Sequence, residues 1–317
     1  MVAMSGKPIG KIIAVVITVD RADTASRCVG ALLDGSKSPD VVVVVDNGSI
    51  IPFALPPEYQ SRAMVVRLEH NSGPAGGASA GQRAALNDGA DWVWMIDDDA
   101  VVEPDALETL IEAAQHGDSS RYFRAVCYDM TNRDVPFYNS FVYDRVTGLL
   151  RPVPRECYTA PQFPFDACSM AGLFVSAALL QAAGTFDASL FGWYDDTEFT
   201  LRATLLGFHG YAVPASRVLH PSANRRSVRV LGRSFLVLAD DPRRLYYGTR
   251  NCILTQRRLL THARFVFLFL PVFVGRRFVS IVALYNNRRA FLRCFLQGVA
   301  DGLHGTHGEL VSGGQTA

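Results

Sequence analysis

Residues Asp91–Ala100 read DWVWMIDDDA, an apolar run that ends in three consecutive carboxylates. The run Trp92–Ile96 is short, β-prone and apolar on both faces, which suits a strand buried within a parallel sheet. Asp97, Asp98 and Asp99 then fall at its carboxyl end, the edge of an open α/β sheet where ligands bind. Adjacent carboxylates raise one another's pKa values unless a cation or hydrogen-bond donors compensate. Alternate residues of an extended backbone share a side, so Asp97 and Asp99 can chelate a hard divalent ion while Asp98 faces elsewhere. The plainer alternative is a solvated acidic turn ahead of the helix that starts near Glu103-Pro104.

Towards the amino terminus, Lys11–Val19 and the five valines Val41–Val45 read as central strands, and Ala22–Leu33 between them carries apolar residues at helical spacing. Strand, helix and strand with short links make a parallel, right-handed unit. Asp46-Asn47-Gly48-Ser49 is a turn signal at the same carboxyl edge as the triple aspartate. Ala63–Glu69 is a third strand. Asn71-Ser72-Gly73-Pro74-Ala75-Gly76-Gly77 then opens an Ala/Gly-rich helix that runs to about Leu86. Small residues there let backbone amides approach an anion at a helix start. They serve equally for tight packing of helix on sheet, and the spacing matches neither GxGxxG nor a Walker loop.

Beyond the aspartates, Pro104–Ala114 is a helix with Pro near its first turn. Residues 115–165 are less regular, with strand-like Tyr122–Tyr128 and Phe137–Tyr143 among loop-marking prolines, and read as an insertion flanking the site. Asp166–Val175 returns to strand character, and Ser176–Ala183 is a short helix. Phe191–Phe199 (FGWYDDTEF) leads into a helix that Gly207 terminates. Acidic residues suit a helix start, and Glu198 to Arg202 is a supportive i,i+4 pair. The same turn also presents Trp193 and two adjacent carboxylates, and a carboxylate held near an acceptor hydroxyl is what a general base requires. Tyr211–Pro214 is a strand, followed by His220, which gains interest if the fold brings it to the aspartates.

With 317 residues, 49% hydrophobic and 19% charged, the chain can bury a large core in one domain or two. Six scattered cysteines without a CxxC pair favour reduced thiols over disulfides or zinc. The start, MVAMSGKPIGK, has no long apolar core before a cleavage site, so a cytoplasmic protein is expected. Residues 1–220 hold 16 Lys/Arg against 26 Asp/Glu, whereas residues 221–300 hold 15 against 2. Within that basic part, Pro221–Arg233 reads as a mobile loop and Asp241–Leu260 as a helix with Tyr246, Tyr247, Arg250 and Asn251 clustered. Leu259–Val274 is apolar but interrupted by Pro271, and falls short of the roughly 20 residues a spanning helix needs. Mixed apolar and basic residues through Phe265–Gln297 suit a helical hairpin lying on an anionic leaflet, or helices packed on the catalytic domain with an arginine-rich outer face. Interleaved Phe and Leu, and the acidic first 220 residues, argue against a nucleic-acid partner. Residues 301–317 are Gly-rich and expected to be disordered. The expected organisation is a catalytic domain over 1–232, a helical module over 233–300 and a tail over 301–317.

The ordered set ITVDR, VVDNGS, NSGPAGG, WMIDDDA, WYDDTEF, Leu219-His220 and YYGTRN, over about residues 11–258, resembles the inverting glycosyltransferases of family 2. Within that family it is similar to bacterial galactofuranosyltransferases and rhamnosyltransferases that build cell-envelope polysaccharides. The resemblance implies a GT-A fold: an α/β, Rossmann-like mixed sheet flanked by helices, here with a basic, apolar helical extension. It implies that Thr18, Arg21 and Asp46 contact the donor nucleotide, with Gly76 and Gly77 beside it. It implies that Asp97 and Asp99 hold Mn²⁺ or Mg²⁺ against the diphosphate, with His220 as a further ligand. Asp196 would be the general base, Asp195 and Glu198 would orient acceptor and base, and Trp193 would offer a sugar-stacking face. Tyr194 stands where many members place an aspartate, so Asp195 and Asp196 both remain candidates for the base. The implied donor is UDP-galactofuranose or dTDP-rhamnose, and the implied acceptor a lipid-linked or polysaccharide chain at the inner membrane face. A non-catalytic relative that binds nucleotide sugar or glycan is the competing class.

Overall fold

The computed structural model describes residues 9–221, 225–230, 233–238 and 241–310. Its first part contains β1 (Ile12–Thr18), α1 (Ala22–Leu33), β2 (Val41–Asp46), β3 (Ala63–Arg67), α2 (Gly73–Asn87) and β4 (Trp92–Asp97). β1 pairs in parallel with β2 and with β4, and β2 with β3, so four carboxyl ends share one edge. The aliphatic runs have no polar side because helices cover both faces. Ile12, Ala14 and Val16 pack towards α1, whereas Ile13 and Val15 pack towards α2.

The chain continues through β5 (Val101–Val102), α3 (Ala106–Gln115), β6 (Arg121–Asp129), β7 (Ser140–Tyr143), β8 (Leu150–Pro152), β9 (Phe163–Phe165), β10 (Ala167–Cys168), β11 (Leu173–Ser176), α4 (Ala177–Ala183), α5 (Asp195–Leu205) and β12 (His209–His220). The large sheet has the order β3-β2-β1-β4-β11-β6-β12-β5, with β9 also on β12. β11 runs antiparallel to β4 and β6, and β6 runs parallel to β12. The sheet is therefore mixed. Residues 121–129 are not an insertion beside the site: β6 is an interior strand, buried from Tyr122 to Tyr128 because it has neighbours on both sides. The expected strand Asp166–Val175 is interrupted between β10 and β11, and that break brings Ser169 and Met170 to the cleft described below.

The basic part also departs from expectation. Where a mobile loop was expected, β13 (Arg225–Val230) and β14 (Arg233–Leu238) form an antiparallel hairpin, and residues 222–224 and 231–232 of that stretch lie outside the described residues. The strand-forming run Phe235–Leu238 outweighs the Arg/Ser-rich composition around it. Three helices follow, α6 (Pro242–Leu259), α7 (His262–Leu284) and α8 (Arg288–His304). α7 has 23 residues and is long and apolar enough to cross a membrane by length and composition, which corrects the shorter span expected from Pro271. The helix runs through Pro271 because Phe265–Phe269 make a wider turn just ahead of it, with the Leu270 N–H bonded to the Phe265 carbonyl. α8 extends past residue 301 to His304, and the backbone is described to Leu310; the remainder of the expected tail, 311–317, lies outside the described residues.

Candidate active site

β4 ends at Asp97, the following turn carries Asp98 and Asp99, and β12 ends at His220. One ligand atom from each of Asp97, Asp99 and His220 lies within 4.8 Å of the others. His220 Nε2 is 3.1 Å from Asp97 Oδ2 and 3.3 Å from Asp99 Oδ1. Its Nδ1 stands 2.8 Å from the carbonyl oxygen of Pro221, which can only accept, so Nδ1 carries a proton and Nε2 faces the carboxylates. Burial works to lower the pKa of His220, but the hydrogen bond and charge of Asp97, with Asp99 behind, push it up to about 9. A proton on Nε2 and a divalent ion are alternative ways to neutralise the same two carboxylates. Two carboxylates and an imidazole oriented by a backbone carbonyl suit a hard divalent ion such as Mn²⁺ or Mg²⁺.

Asp98 turns away from this group. It accepts from Thr18 Oγ1 at 2.7 Å and from Arg21 Nη1 at 3.0 Å, and the same Arg21 nitrogen reaches Asp99 Oδ2 at 3.0 Å. Burial raises the Asp98 pKa, against the opposing pull of Thr18 and Arg21.

The second acidic group sits at the start of α5. The turn before it holds Phe191, Trp193 and Tyr194 at φ of 64°, 54° and 81°, a left-handed region that non-glycine residues rarely occupy. Asp195 is buried, and Asp196 is part-buried at the wall of the cleft. Burial raises both pKa values: the charge of Asp196 adds to the effect on Asp195, while the Thr197 N–H, 2.6 Å from Asp196 Oδ1, opposes the effect on Asp196. A cleft of about 590 Å³ brings Thr18, Arg21, Asp97, Asp99 and His220 together with Trp193, Asp195 and Asp196. A second cavity of about 450 Å³ shares Thr18 and Arg21 and is walled by Ser49–Phe53. Trp193 stacks on Tyr247 at 5.4 Å, and the Arg244 guanidinium lies 5.7 Å from its ring centroid.

Three sequence expectations change here. Asp46 is fully buried and lines neither cavity; it accepts from the Ser49 and Phe53 N–H groups, each at 2.9 Å, and from Arg67. It holds in place the Ser49–Phe53 backbone that walls the second cavity. Glu198 does not line the cleft either: Arg202 binds it through Nε and Nη2, each at 2.9 Å, and Arg202 also donates to the Ala183 and Thr185 carbonyls. It anchors α5. Gly76 and Gly77 serve packing, since a Cβ on Gly76 would stand 2.4 Å from Ser72 Oγ and one on Gly77 2.6 Å from an Ile17 methyl.

Other cleft residues were not singled out from the sequence. Asn47 Nδ2 donates to the Gly73 carbonyl at 3.0 Å, and its Oδ1 accepts from the Ser72 N–H at 3.0 Å, which ties the β2 end to the α2 start. Gly73 has φ +73°, and a Cβ there would stand 2.0 Å from the Phe191 carbonyl oxygen. The Ala75 N–H donates to that same oxygen at 3.0 Å, and Gly192 sits against Pro74. Asp241 and Arg244 enter from α6. Their signal was Asp241-Pro242, an N-cap followed by proline at the first helical position.

The sequence pattern that defines Glycosyl transferase family 2 matches residues 13–178, more than half of the chain. The chain belongs to glycosyl transferase family 2. It is an enzyme of glycosyl transfer. The glycosyltransferase is 29% identical over 247 residues to Galactofuranosyltransferase GlfT1 of Mycobacterium tuberculosis (strain ATCC 25618 / H37Rv), covering 76% of this chain and 80% of the relative. It is 24% identical over 274 residues to dTDP-rhamnosyl transferase RfbF of Shigella flexneri, covering 84% and 87%. Its fold is shared with solved GT-A glycosyltransferases. GalNAc-T7 with UDP, GalNAc and Mn²⁺ superposes with a TM-score of 0.59 at 16% identity over 79% of this chain, which spans about half the length (48%) of that solved chain. S. aureus TarS 1-349 in complex with UDP-GlcNAc gives 0.57 at 16% identity, covering 91% of this glycosyltransferase and 81% of TarS.

Proposed function

We propose that this glycosyltransferase moves galactofuranose from UDP-galactofuranose to a lipid-linked or polysaccharide acceptor, with inversion at the anomeric carbon. The observation that carries the reading is the closure of two acidic groups, one suited to a metal and one to a base, around a single cleft. Asp97, Asp99 and His220 would hold Mn²⁺ or Mg²⁺, which supplies charge neutralisation at the departing diphosphate. The cavity between Thr18 and Phe53 takes the nucleoside, and Arg21 stands between it and the larger cleft. Asp196, with Asp195 behind it, accepts the proton of an acceptor hydroxyl as the hydroxyl oxygen bonds to the anomeric carbon and the bond to the diphosphate oxygen breaks. A raised pKa strengthens a carboxylate as a base. Trp193 borders the acceptor side. The galactofuranose donor is supported by the likeness to GlfT1; the likeness to RfbF keeps dTDP-rhamnose as the second reading.

The site of action is the cytoplasmic face of the membrane. Phe267, Phe278 and Val279 on α7 are 74%, 47% and 64% exposed. Arg276 and Arg277 interrupt the apolar stretch past its middle, which favours a helix lying in the interface, arginines among anionic headgroups, over one that spans.

The test is release of nucleoside diphosphate from a panel of sugar nucleotides, with Mn²⁺ or with EDTA, using membrane lipid extract as acceptor. Metal-dependent release from UDP-galactofuranose supports the reading. Release from dTDP-rhamnose alone moves the donor, and binding of donors without release under any condition sinks the catalytic assignment.

A further inference from the structure

The turn that delivers Asp195 and Asp196 is held from behind by two adjacent residues of α6. Asn251, fully buried, donates through Nδ2 to the carbonyls of Leu190 at 3.0 Å, Gly192 at 2.7 Å and Trp193 at 2.8 Å. Arg250, also fully buried, has no carboxylate partner among the described residues. Its Nε donates to Asn251 Oδ1 at 2.9 Å, its Nη2 to the Leu190 carbonyl at 2.8 Å and its Nη1 to the Gly308 carbonyl at 2.6 Å. One guanidinium thus joins the acidic turn to the backbone that follows α8. That backbone is tied down at further points. The Gly308 N–H donates to the Ser189 carbonyl at 2.7 Å, the Leu310 N–H to Tyr247 Oη at 2.8 Å, and Ser189 Oγ pairs with His307 Nδ1 at 2.9 Å. Tyr247 in turn stacks on Phe191 at 5.2 Å and on Trp193 at 5.4 Å.

Three non-glycine residues at positive φ each carry strain of about 1–3 kcal/mol, and such a turn persists only where its surroundings over-determine it. The bonds above supply that determination. A guanidinium is also costly to bury, and packing alone would be served as well by an apolar side chain. It bonds the acidic turn and the backbone after α8 at once, beside the contacts of Ser189 with His307 and Gly308.

We infer that Arg250, Asn251 and residues 305–310 form a strap that positions Asp195 and Asp196 over the cleft. These are positioning residues, and the inference rests on the reading of that acidic pair as the base. When the strap is loosened the turn relaxes towards ordinary φ values and the carboxylates shift, and a displacement near 1 Å lowers turnover on the order of a hundredfold. Donor-contacting groups at the ends of β1 and β4 stay where they were.

The test uses the full chain. Gly308→Pro removes the N–H that bonds Ser189 and forbids the φ of +85° there, at a residue that does not line the cleft. Tyr247→Phe keeps the ring stack and removes the acceptor for Leu310, and Asn251→Ala releases three carbonyls. The expected result is a fall in kcat of about tenfold to a hundredfold for Gly308→Pro and Asn251→Ala, and a smaller fall for Tyr247→Phe. Donor KM stays within about twofold, the split that marks a transition-state effect. Equal kcat in all three variants, or a parallel loss of donor binding and thermal midpoint, overturns the strap. Asp195→Asn and Asp196→Asn are measured alongside. If both turn over normally, the base reading falls and the strap with it; if either is silent while the strap variants match the parent, the strap falls alone.

Discussion

Replacing Asp46 by asparagine probes whether the donor wall is built as described. The carboxylate is fully buried and binds two backbone N–H groups at 2.9 Å together with the Arg67 guanidinium. Hydrogen bonds to a charged group contribute about 1.5–3 kcal/mol each. Asparagine keeps one acceptor oxygen and turns a donor NH₂ on the other partners, so one backbone bond is lost and the second loses its charge assistance. Arg67 is 40% exposed in its side chain and recovers part of its loss from water. The expected destabilisation is about 3 kcal/mol. Because the displaced backbone is the Ser49–Phe53 wall, donor KM rises about tenfold while kcat at saturation changes little, the pattern of lost uniform binding. Burial alone would raise the Asp46 pKa, but hydrogen bonds from Ser49 and Phe53 and the charge of Arg67 outweigh it and hold the value low. A lowered folded-state pKa gives stability that is present above the unfolded carboxylate value of about 3.9 and is lost as pH falls through the folded one. The gap between parent and Asp46→Asn in urea unfolding midpoint therefore narrows below about pH 4. An unchanged midpoint at pH 7, a gap that does not narrow as the pH falls below about 4, or an unchanged donor KM would each refute the reasoning.

Other substitutions test the remaining assignments. Asp99→Ala should lower metal-dependent turnover by at least about a hundredfold with the far-ultraviolet circular dichroism intact, and near-parent diphosphate release would remove the metal assignment. Asp196→Asn should spare donor binding and abolish turnover. In the parent enzyme the raised Asp196 pKa puts the acid limb of kcat above the ordinary carboxylate value of about 3.9, activity falling as pH drops through it; a limb at or below that value removes Asp196 as the base. Glu198→Gln should cost about 2–3 kcal/mol by releasing Arg202, yet leave kcat within a fewfold of the parent, whereas a collapse of kcat alone would return Glu198 to the acceptor. Arg276→Ala and Arg277→Ala should each weaken flotation with anionic vesicles by about 1 kcal/mol, more at low salt, and the absence of any change would place α7 elsewhere.

The first half of the fold was legible because its signals are local. Val41–Val45 is apolar on both faces, Ala22–Leu33 has one helical period, and the aspartates follow directly on the apolar run of β4, although it is the turn after the strand, and not strand alternation, that sets Asp99 beside Asp97. What lay beyond reach depended on distant neighbours. β6 looked like a flanking piece because its sequence does not reveal that β11 and β12 enclose it. His220 could not be joined to Asp97, 123 positions earlier, until the partner of β12 was known. Asp46 and Glu198 were found as charges, but a sequence does not say which way a carboxylate turns. Arg67 and Arg202 decide that, and both arginines are ordinary in context. Pro271 misled for a related reason, since the wider turn ahead of it is an adjustment of hydrogen bonding with no residue signature.

The contact of Gly73 and Pro74 with Phe191 and Gly192 sets a limit on how this enzyme can diverge. There the donor half of the chain meets the acceptor half main chain to main chain, without room for one methyl group. Substitution cannot widen that junction by degrees, because the smallest step already collides. New acceptors or sugars must be accommodated at other lining positions, among them Met170 and Arg244, whereas the Ser169 hydroxyl is held by Asn139 and the buried Arg124. A library that varies Met170 and Arg244 and leaves the junction intact should yield altered selectivity in folded proteins, whereas diversity aimed at 73–74 and 191–192 would be spent on chains that no longer close.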